Sequence, residues 1–291
     1  MTGPRIREIL KTATQRLKDA DVSSARIETE AFIAECLNIN RAQLIFKLEE
    51  RIAQADEKRI IHCIERREKG EPFFYILGKR EFWSLDFKVN PHVLSPRPET
   101  EILLERFLEI AGNRKEDSIR LLDVGAGSGC ISICAALELE TLRATAVDIS
   151  EEALNVAKEN ARIHKVEDKI QFFRSDLFPP GEGEQFHFIL SNPPYIASDD
   201  LPGLPSDIRD HEPHLALDGG RDGLDFYRRI IAKAKSRLSP GGFLILEIGE
   251  TQARAIAGIA DDEGEYESPL IYKDYAGKDR VISIKKKESH G

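Results

Sequence analysis

From residue 119 onward, short apolar runs of strand length alternate with helical patterns, and this alternation constrains the fold more than any other feature of the chain. Strands and helices in such alternation form a mostly parallel, doubly wound α/β sheet with helices on both faces. The predicted strands cover residues 119–124, 144–147, 170–173, 186–191 and 243–246, with late strands near Leu270 and over 281–284. The predicted helices cover residues 130–139, 151–164, 224–238 and 252–260, with Ser150 as the cap of the second.

The first of these strands runs into a glycine-rich turn, in which Asp123 is followed by Gly125, Ala126, Gly127, Ser128 and Gly129. Glycines permit positive φ angles and close approach of a ligand to the backbone. A dinucleotide fingerprint has its third glycine three residues after the second, where this chain has Cys130, so the third glycine here comes one residue early. A carboxylate at Asp123 is poorly suited to a pyrophosphate and well suited to a cationic ligand. S-adenosylmethionine, with an ammonium and a sulfonium but no phosphate, is such a ligand.

Acidic residues also follow the second and third strands. Asp148 is placed to accept hydrogen bonds from both hydroxyls of a ribose. Asp176 is placed to accept a hydrogen bond from an adenine amino group, and Ile149 and Leu177 are placed to sandwich the ring. Because the carboxyl ends of parallel strands meet at one edge of the sheet, acids at three successive strand ends predict a nucleoside-binding site.

The fourth strand ends at Asn192-Pro193-Pro194-Tyr195, because two consecutive prolines have no N–H to donate to a sheet. The side-chain oxygen of Asn192 and a backbone carbonyl of the turn are suited to accept both hydrogen bonds of one planar NH2 group. A carboxamide and an exocyclic base amine both carry such a group. Held in this way, the nitrogen pyramidalises toward an incoming methyl group without a strong base, and orientation and exclusion of water supply most of the rate. Tyr195 offers a face on which a planar substrate packs.

The first 75 residues show apolar residues at helical spacing and no constellation of catalytic residues. Helices are predicted over 4–20, around 27–36, over 41–46 and over 54–69, with Ser23 or Ser24 capping the second and Gly70 and Pro72 ending the fourth. We therefore expect a helical packing or partner-recognition domain in residues 1–75, a β-hairpin linker in 76–93 and a catalytic domain in 94–291. In the last, the proline-stiffened segment 95–100 is expected to form a rigid lip over the cofactor, and 197–223 a substrate loop.

Composition and charge exclude several classes of protein. No apolar run approaches the ~20 residues of a transmembrane helix, and the N-terminus lacks the apolar segment of a signal peptide. The four scattered cysteines are typical of buried free thiols in a reducing cytoplasm, and we predict no metal site, including at His211 and His214. Residues 1–90 hold 17 Lys/Arg against 15 Asp/Glu, so the remainder of a chain with net charge −9 carries −11. That balance argues against electrostatic wrapping of duplex nucleic acid.

Together these segments resemble the HemK/PrmC family of release-factor glutamine N5-methyltransferases, and the likeness covers nearly the whole chain. The motifs that carry it are Arg66-Arg67, Gly70-Glu71-Pro72, Tyr75-Ile76-x-Gly78, Arg80-Glu81-Phe82-Trp83, Pro96-Arg97-Pro98-Glu99-Thr100-Glu101, Asp123 to Gly129, Asp148, Ser191 to Ile196, Ala216 to Gly223, Glu247-Ile248-Gly249 and Asp279-Arg280-Val281. Asn-Pro-Pro-Tyr also occurs in DNA adenine and rRNA guanine methyltransferases, whereas the segment 96–101 with a helical N-terminal domain is more specific. Leu177 stands where some members have an aromatic residue, and Ser95 where an aliphatic residue is common.

The resemblance implies a Rossmann-like class I S-adenosylmethionine-dependent methyltransferase fold. The implied reaction is methylation of the glutamine side chain in the Gly-Gly-Gln loop of class 1 peptide chain release factors, with S-adenosylhomocysteine as the product. The cofactor is expected on residues 125–129, with Asp148 on the ribose and Asp176 and Leu177 on the adenine side, and the glutamine on Asn192 to Tyr195. The helical domain is expected to contact the release factor, and we expect a cytoplasmic monomer that binds no specific nucleic acid sequence.

Three alternatives remain open at this point. A nucleic-acid N-methyltransferase of the same fold would act on an exocyclic base amine, and would need a base-flipping groove and a basic track. An NAD-dependent dehydrogenase is disfavoured by Cys130 in the place of the third glycine. A non-catalytic module that binds release factors would leave the three acids and Asn192 without a purpose.

Overall fold

The computed structural model describes residues 3–114, 118–181 and 183–288, and it divides into two compact units. The first unit comprises residues 3–78 with Pro205–His211, and the second comprises Lys79–Leu204 and the residues from Glu212 onward. The helices are α1 (Ile6–Asp19), α2 (Ala25–Leu37), α3 (Arg41–Phe46), α4 (Gln54–Glu68), α5 (Phe73–Leu77), α6 (Thr100–Gly112), α7 (Cys130–Glu138), α8 (Glu151–Ile163), α9 (Ser206–Arg209), α10 (Asp225–Arg237) and α11 (Ala253–Asp262). The strands are β1 (Lys79–Phe82), β2 (Leu85–Lys88), β3 (Ile119–Val124), β4 (Leu142–Asp148), β5 (Ile170–Arg174), β6 (Phe186–Ser191), β7 (Leu238–Glu247), β8 (Leu270–Lys273) and β9 (Asp279–Lys285).

The first unit is all-helical, as the spacing of its apolar residues predicts. Ile6, Ile33 and Ile60 come from α1, α2 and α4 and are buried in one cluster, so the amphipathic faces of these helices pack on one another. Ser24 stands at the N-cap of α2, but its hydroxyl donates to Glu28 Oε1 at 2.7 Å instead of capping the backbone. The predicted N-cap position at Ser24 is confirmed, but the side-chain hydrogen bond to the helix backbone is not formed.

Two motifs of the first unit stabilise its own structure. Arg67 Nε donates to Oε2 of the buried Glu28 at 2.7 Å, which joins α4 to α2. Arg66 forms a two-pronged pair with Glu71, and this pair holds the pKa of the Glu71 carboxyl below its ordinary value. The pair fixes the turn at Gly70, whose φ is +89°, directly after α4.

The second unit contains a seven-stranded sheet in the order β5-β4-β3-β6-β7-β9-β8. The first five strands are parallel, and β9 and β8 are antiparallel to their neighbours. Every residue of β6 is buried, as expected for a parallel strand covered on both faces. Phe107 of α6 and Ile133 of α7 pack on one face, and Tyr227 of α10 and Ile256 of α11 on the other. The predicted doubly wound α/β fold is confirmed.

Several boundaries differ from the predictions. The segment read as the start of the hairpin forms the short helix α5, which ends at Gly78 with φ +73°, so the hairpin begins at Lys79. Its two-residue turn places Trp83 and Ser84 at φ +53° and +58°. Primed turns have positive φ at both positions because their twist matches that of the strands. Strand β7 begins at Leu238, before the predicted Pro-Gly-Gly turn, and Ser150 caps α8 by accepting from the Ala153 N–H at 3.1 Å as predicted.

Segment 197–223 is more ordered than a simple loop. It contains two short 3-10 helices, Ser198–Gly203 and His214–Ala216, and a parallel bridge between Ile196 and Asp218. In the ranges that the structure describes, no helix has both the length and the apolar character needed to cross a membrane.

Asn160 of α8 ties the hairpin to the glycine turn. Its side chain is fully buried, and its Oδ1 accepts from the Lys88 N–H at 2.8 Å. Its Nδ2 donates to the carbonyls of Lys88 at 3.1 Å and Ser128 at 2.9 Å. A buried amide with these three bonds replaces water for backbone groups of two separate segments.

We expect Asn160→Ala to lower the free energy of unfolding by about 3 kcal/mol, at about 1 kcal/mol for each bond lost. Urea denaturation followed by circular dichroism measures this change. Asn155→Ala is the matched control, since Asn155 is exposed on the same helix and its replacement should change stability by less than about 0.5 kcal/mol. Equal stability of the two variants would contradict the assigned role.

Candidate functional site

A cavity of about 440 Å³ lies at the carboxyl ends of β3, β4, β5 and β6 in the second unit. The order of strands reverses between β3 and β6, and in open α/β sheets ligands bind at such a switch point. The volume is within the range of small-molecule sites. The lining comprises residues from 91–97 with Thr100, 124–128 with Cys130 and Ile131, 148–150 with Ala153, 175–177, 191–194, Pro213, Leu215 and Ala216, and Phe226 and Arg229.

The glycine turn forms one wall of the cavity. The carbonyl of Val147 accepts from the N–H groups of Gly125 and Ala126, both at 2.9 Å, which anchors the turn to β4. Gly125 and Gly127 have φ of +75° and +55°, and a Cβ atom there would meet nothing closer than 3.9 Å. At Gly129, with φ +79°, a Cβ atom would lie 3.1 Å from Ala157 and from Ile133. Gly129 therefore allows the turn to pack against α7 and α8 and does not line the cavity. Gly125 and Gly127 face open space in the cavity.

Asp148 joins the glycine turn to the start of α8. Its Oδ2 accepts from the Gly127 N–H and its Oδ1 from the Ser150 N–H, each at 2.9 Å. Each carboxylate oxygen has a second lone pair, and the residue is half-buried in the cavity wall. Ile149 beside it is 51% exposed, so an apolar side chain stands open at the rim.

Asp176 and Leu177 lie at the end of β5, where the structure adds partners that the sequence did not reveal. Asp176 pairs with Arg229 of α10, whose guanidinium lies 5.6 Å from the centre of the Phe226 ring. The Phe178 N–H donates to the Asp176 carbonyl at 3.0 Å, which places Leu177 in the middle of a three-residue turn with φ +73°. Phe226 supplies an aromatic ring to this wall, and Leu177 occupies a strained backbone position.

Asp123 does not line the cavity, in contrast to the other predicted acids. Its side chain is fully buried, and Oδ2 accepts from the Ser132 N–H at 3.2 Å, while Oδ1 has no hydrogen-bond partner among the described residues. Burial raises the pKa of Asp123 to about 6, and the nearby charge of Asp148 acts in the same direction. The carboxylate is thus part of the interior behind the glycine turn.

We expect Asp123→Asn to change the pH dependence of stability. The folded protein holds a proton on this carboxyl between its ordinary pKa of 3.8 and the raised value of about 6. The raised pKa of Asp123 therefore stabilises the folded state fully below about pH 4, and this stabilisation is lost as the pH rises through 6. The unfolding free energy of the variant minus that of the wild type should rise by about 3 kcal/mol from pH 3 to pH 7. Urea denaturation across this range measures the difference, and a constant difference would contradict the assignment.

The turn after β6 presents Asn192 to the cavity. The Ser191 hydroxyl donates to the Val124 carbonyl at 2.7 Å, which fixes the start of the turn against β3. Asn192 Nδ2 lies 3.2 Å from Thr100 Oγ1, and that hydroxyl lies 2.6 Å from Glu247 Oε2. Asn192, Pro193 and Pro194 line the cavity.

Tyr195 lies outside the cavity lining, unlike its three predecessors. Its ring packs against the core cluster of α10 and α11, and burial raises its pKa to about 12. Its carbonyl accepts from Gln252 Nε2 at 3.0 Å. A Cβ atom at Gly219 would lie 2.9 Å from the Pro194 carbonyl oxygen, and one at Gly223 would lie 2.4 Å from that of Tyr195. The glycines of segment 216–223 therefore allow it to pack on the proline turn.

The motifs named from the sequence contain Arg97, Thr100 and Glu247, but the sequence did not indicate what these residues contact. Arg97 Nη2 donates to Oε2 of the buried Glu212 at 2.6 Å, which joins segment 95–100 to segment 212–216 across the rim. Thr100 and Glu247 form the buried side of the Asn192 contact. Glu247 is the last residue of β7, and its place at a strand end and in the Glu247-Ile248-Gly249 motif were its two signals in the sequence.

Comparison with known families and proteins bears on both units. The model of the PrmC N-terminal domain matches residues 8–78, and that of the methyltransferase small domain matches residues 97–202. A release factor glutamine methyltransferase from Moorella thermoacetica is 41% identical over 283 residues, which cover 97% of this chain and 99% of the relative. Another, from Geobacter sulfurreducens, is 37% identical over 277 residues and 95% of each chain.

Solved structures show a related fold. The chain resembles the Thermus thermophilus 16S rRNA N2 G1207 methyltransferase in complex with AdoMet and guanosine, with a TM-score of 0.53 and 18% identity. The superposition covers 72% of this chain and 50% of that one. At this identity the likeness concerns the fold, and it confirms the methyltransferase-type α/β architecture of the second unit.

Proposed function

The chain belongs to the release factor glutamine methyltransferase family, and we propose that it transfers a methyl group from S-adenosylmethionine to the side-chain amide nitrogen (N5) of the glutamine in the Gly-Gly-Gln motif of class 1 peptide chain release factors. One observation carries the proposal: a single cavity is lined by the glycine turn, by Asp148 and by the Asn192 turn. A donor site and an acceptor site for one methyl group need this proximity.

The residues of the cavity fit S-adenosylmethionine. The open space above Gly125 and Gly127 leaves room for a ligand close to the backbone, and Ala126 and Ser128 complete that wall. Asp148 retains lone pairs for two ribose hydroxyls, and Ile149 and Leu177 offer apolar contacts to an adenine. Bound there, S-adenosylmethionine supplies an electrophilic methyl group and leaves as S-adenosylhomocysteine.

Asn192 acts on the methyl acceptor. Its side-chain oxygen accepts one hydrogen bond from the glutamine NH2 group, and a backbone carbonyl of the turn accepts the other. Held by both bonds, the amide nitrogen loses conjugation with its carbonyl and directs its lone pair toward the methyl group. The new C–N bond forms as the methyl–sulfur bond breaks, and the cationic methylated amide then releases one N–H proton, so no strong base is needed. Pro193 and Pro194 keep the turn stiff, so little entropy is lost when the substrate binds.

The helical unit is proposed to recognise the release factor, in the cytoplasm and as a monomer. Among the residues described in this unit, three large apolar side chains are exposed, namely Ile27, Ile45 and Phe46, and the last is 88% exposed. An apolar side chain as exposed as that of Phe46 can contact a protein partner. The acidic balance of residues 91–291 gives no support to the alternative of a DNA or rRNA base methyltransferase.

The function is tested with purified protein, methyl-labelled S-adenosylmethionine and unmethylated release factor, followed by mass spectrometry of the Gly-Gly-Gln peptide. We expect one methyl group on that glutamine and none on a release factor whose motif is changed to Gly-Gly-Glu. Label on a nucleic acid substrate, with none on the release factor, would overturn the proposal.

Asn192→Ala should lower kcat at least 100-fold, because the acceptor nitrogen is no longer held for transfer. The Kd for S-adenosylmethionine, measured by calorimetry, should stay within threefold of the wild type. Asn155→Ala on α8 is the matched control and should keep normal turnover. Equal losses of cofactor affinity and turnover would mean that the turn builds the cofactor site instead.

Asp148→Ala should weaken S-adenosylmethionine binding about 5- to 150-fold, since a pair of charge-assisted hydrogen bonds is lost, worth about 1–3 kcal/mol. Titration calorimetry measures the affinity, and a melting curve without ligand shows whether the variant is folded. The exposed Asp168→Asn, outside the cavity lining, is the control. Unchanged affinity in Asp148→Ala would remove Asp148 from the ribose role.

A further inference from the structure

A hydrogen-bond chain leads from the cavity into the interior through Asn192, Thr100 and Glu247. Asn192 Nδ2 lies 3.2 Å from Thr100 Oγ1, and Thr100 Oγ1 lies 2.6 Å from Glu247 Oε2. Thr100 and Glu247 are only 3% and 1% exposed, so water does not compete for these contacts. These hydrogen bonds join the ends of β6, α6 and β7. Which group donates and which accepts in each bond follows from the number of protons that each group carries.

An ionised carboxylate only accepts hydrogen bonds, and a hydroxyl has one proton to donate. With Glu247 ionised, the Thr100 proton is committed to the carboxylate, and Thr100 offers Asn192 only a lone pair. Asn192 must then turn its NH2 group to Thr100 and its oxygen to the cavity. With Glu247 protonated, the carboxyl donates to Thr100, the Thr100 proton is free to donate to the Asn192 oxygen, and the amide reverses.

The charged and titratable groups around Glu247 allow its carboxyl to be either ionised or protonated near neutral pH. These groups are Arg280 of β9, Arg97 and Glu99 before α6, the Cys130 thiol of α7, Tyr195 after β6 and Tyr227 of α10, whose hydroxyl donates to the Glu247 carbonyl at 2.9 Å. Both arginines are paired elsewhere, Arg280 with Asp274 at 3.2 Å and Arg97 with Glu212 at 2.6 Å. Burial raises the pKa of Glu247 to about 7, against the opposing effects of the Thr100 hydrogen bond and the arginines.

We propose that Thr100 and Glu247 are positioning residues that hold the Asn192 side-chain oxygen toward the methyl acceptor, and that turnover requires Glu247 as the carboxylate. The inference rests on the proposed function, in which Asn192 accepts a hydrogen bond from the substrate NH2 group. A reversed Asn192 would present its own NH2 group to that of the substrate, and neither could accept. The reaction would then lose its orienting contact while the cofactor wall stays unchanged.

The first test compares Thr100→Val, which keeps the shape and removes the hydroxyl, with Thr100→Ser, which keeps the hydroxyl. Thr100→Val should lower kcat at least tenfold while the Kd for S-adenosylmethionine stays within threefold, and Thr100→Ser should retain kcat within threefold of the wild type. Thr145→Val, a buried threonine of β4 outside the cavity lining, is the matched control and should keep normal turnover. Wild-type kcat in Thr100→Val would overturn the proposal. Thr100→Ala removes the same hydroxyl if the valine variant does not fold.

The second test is the pH profile of kcat/KM for the release factor, which reports groups of the free enzyme. In the wild type and in Thr100→Ser, kcat/KM should fall about tenfold for each pH unit below about 7, because protonation of the Glu247 carboxyl reverses the two hydrogen bonds that orient Asn192. Glu247→Gln, whose side chain is neutral at every pH and either donates or accepts, should have a lower plateau and no such acid limb. An acid limb unchanged in Glu247→Gln would overturn the role of Glu247.

The two proposals fail in different ways. If the wild type transfers no methyl group to the release factor, the proposed function and this inference both fall. If the wild type methylates the Gly-Gly-Gln peptide and all Thr100 and Glu247 variants keep its rate and pH profile, only the positioning role falls.

Discussion

The parallel pairing of β3 with β4 on one side and β6 on the other is the constraint on which the site depends. Val124 at the end of β3 is in register with Val147 and with Ser191. The residues that follow, Asp148 and Asn192, therefore emerge on either side of the glycine turn. Neighbouring strands lie about 4.8 Å apart, so the two side chains begin about 10 Å from each other. The hydrogen bonds between the strands thus set the separation of the proposed methyl-donor and methyl-acceptor sites, whatever the side chains are.

Two buried carboxyls distinguish this sheet from a purely apolar core. Asp123 is the last residue but one of β3, and Glu247 is the last residue of β7. Both side chains are buried, and burial raises their pKa values to about 6 and about 7, respectively. Each is a local cost to stability near neutral pH, because the charged form is poorly solvated. Costs of this kind concentrate at functional sites and are offset by packing elsewhere. Here the centres of β6 and β7, residues 188–190 and 244–246, consist of fully buried apolar side chains, which supplies that offset.

The sequence predicted those parts of the site that depend on local chain geometry. Strand ends, the glycine turn and the proline turn are short-range features, and Asp148 and Asn192 lie where the period of the strands indicates. What it did not predict depends on contacts between distant segments. Thr100 meets Glu247 across 147 positions of the chain, and Arg97 meets Glu212 across 115. The burial of Asp123 likewise depends on how α7 packs behind the glycine turn, which residue types alone do not specify.

Leu177 shows how narrow the choice of residue is at one point of the cavity wall. Its φ of +73° belongs to glycine and asparagine more than to leucine, and holding such a residue there costs about 1–3 kcal/mol. Glycine would relax the backbone and remove the apolar wall, whereas a β-branched residue would keep the wall and add to the strain. Backbone energy and apolar lining of the cavity therefore oppose each other at this position. A substitution at position 177 that favours one therefore disfavours the other, whereas Phe226 of α10 adds apolar surface to the same cavity from a helix, without that conflict.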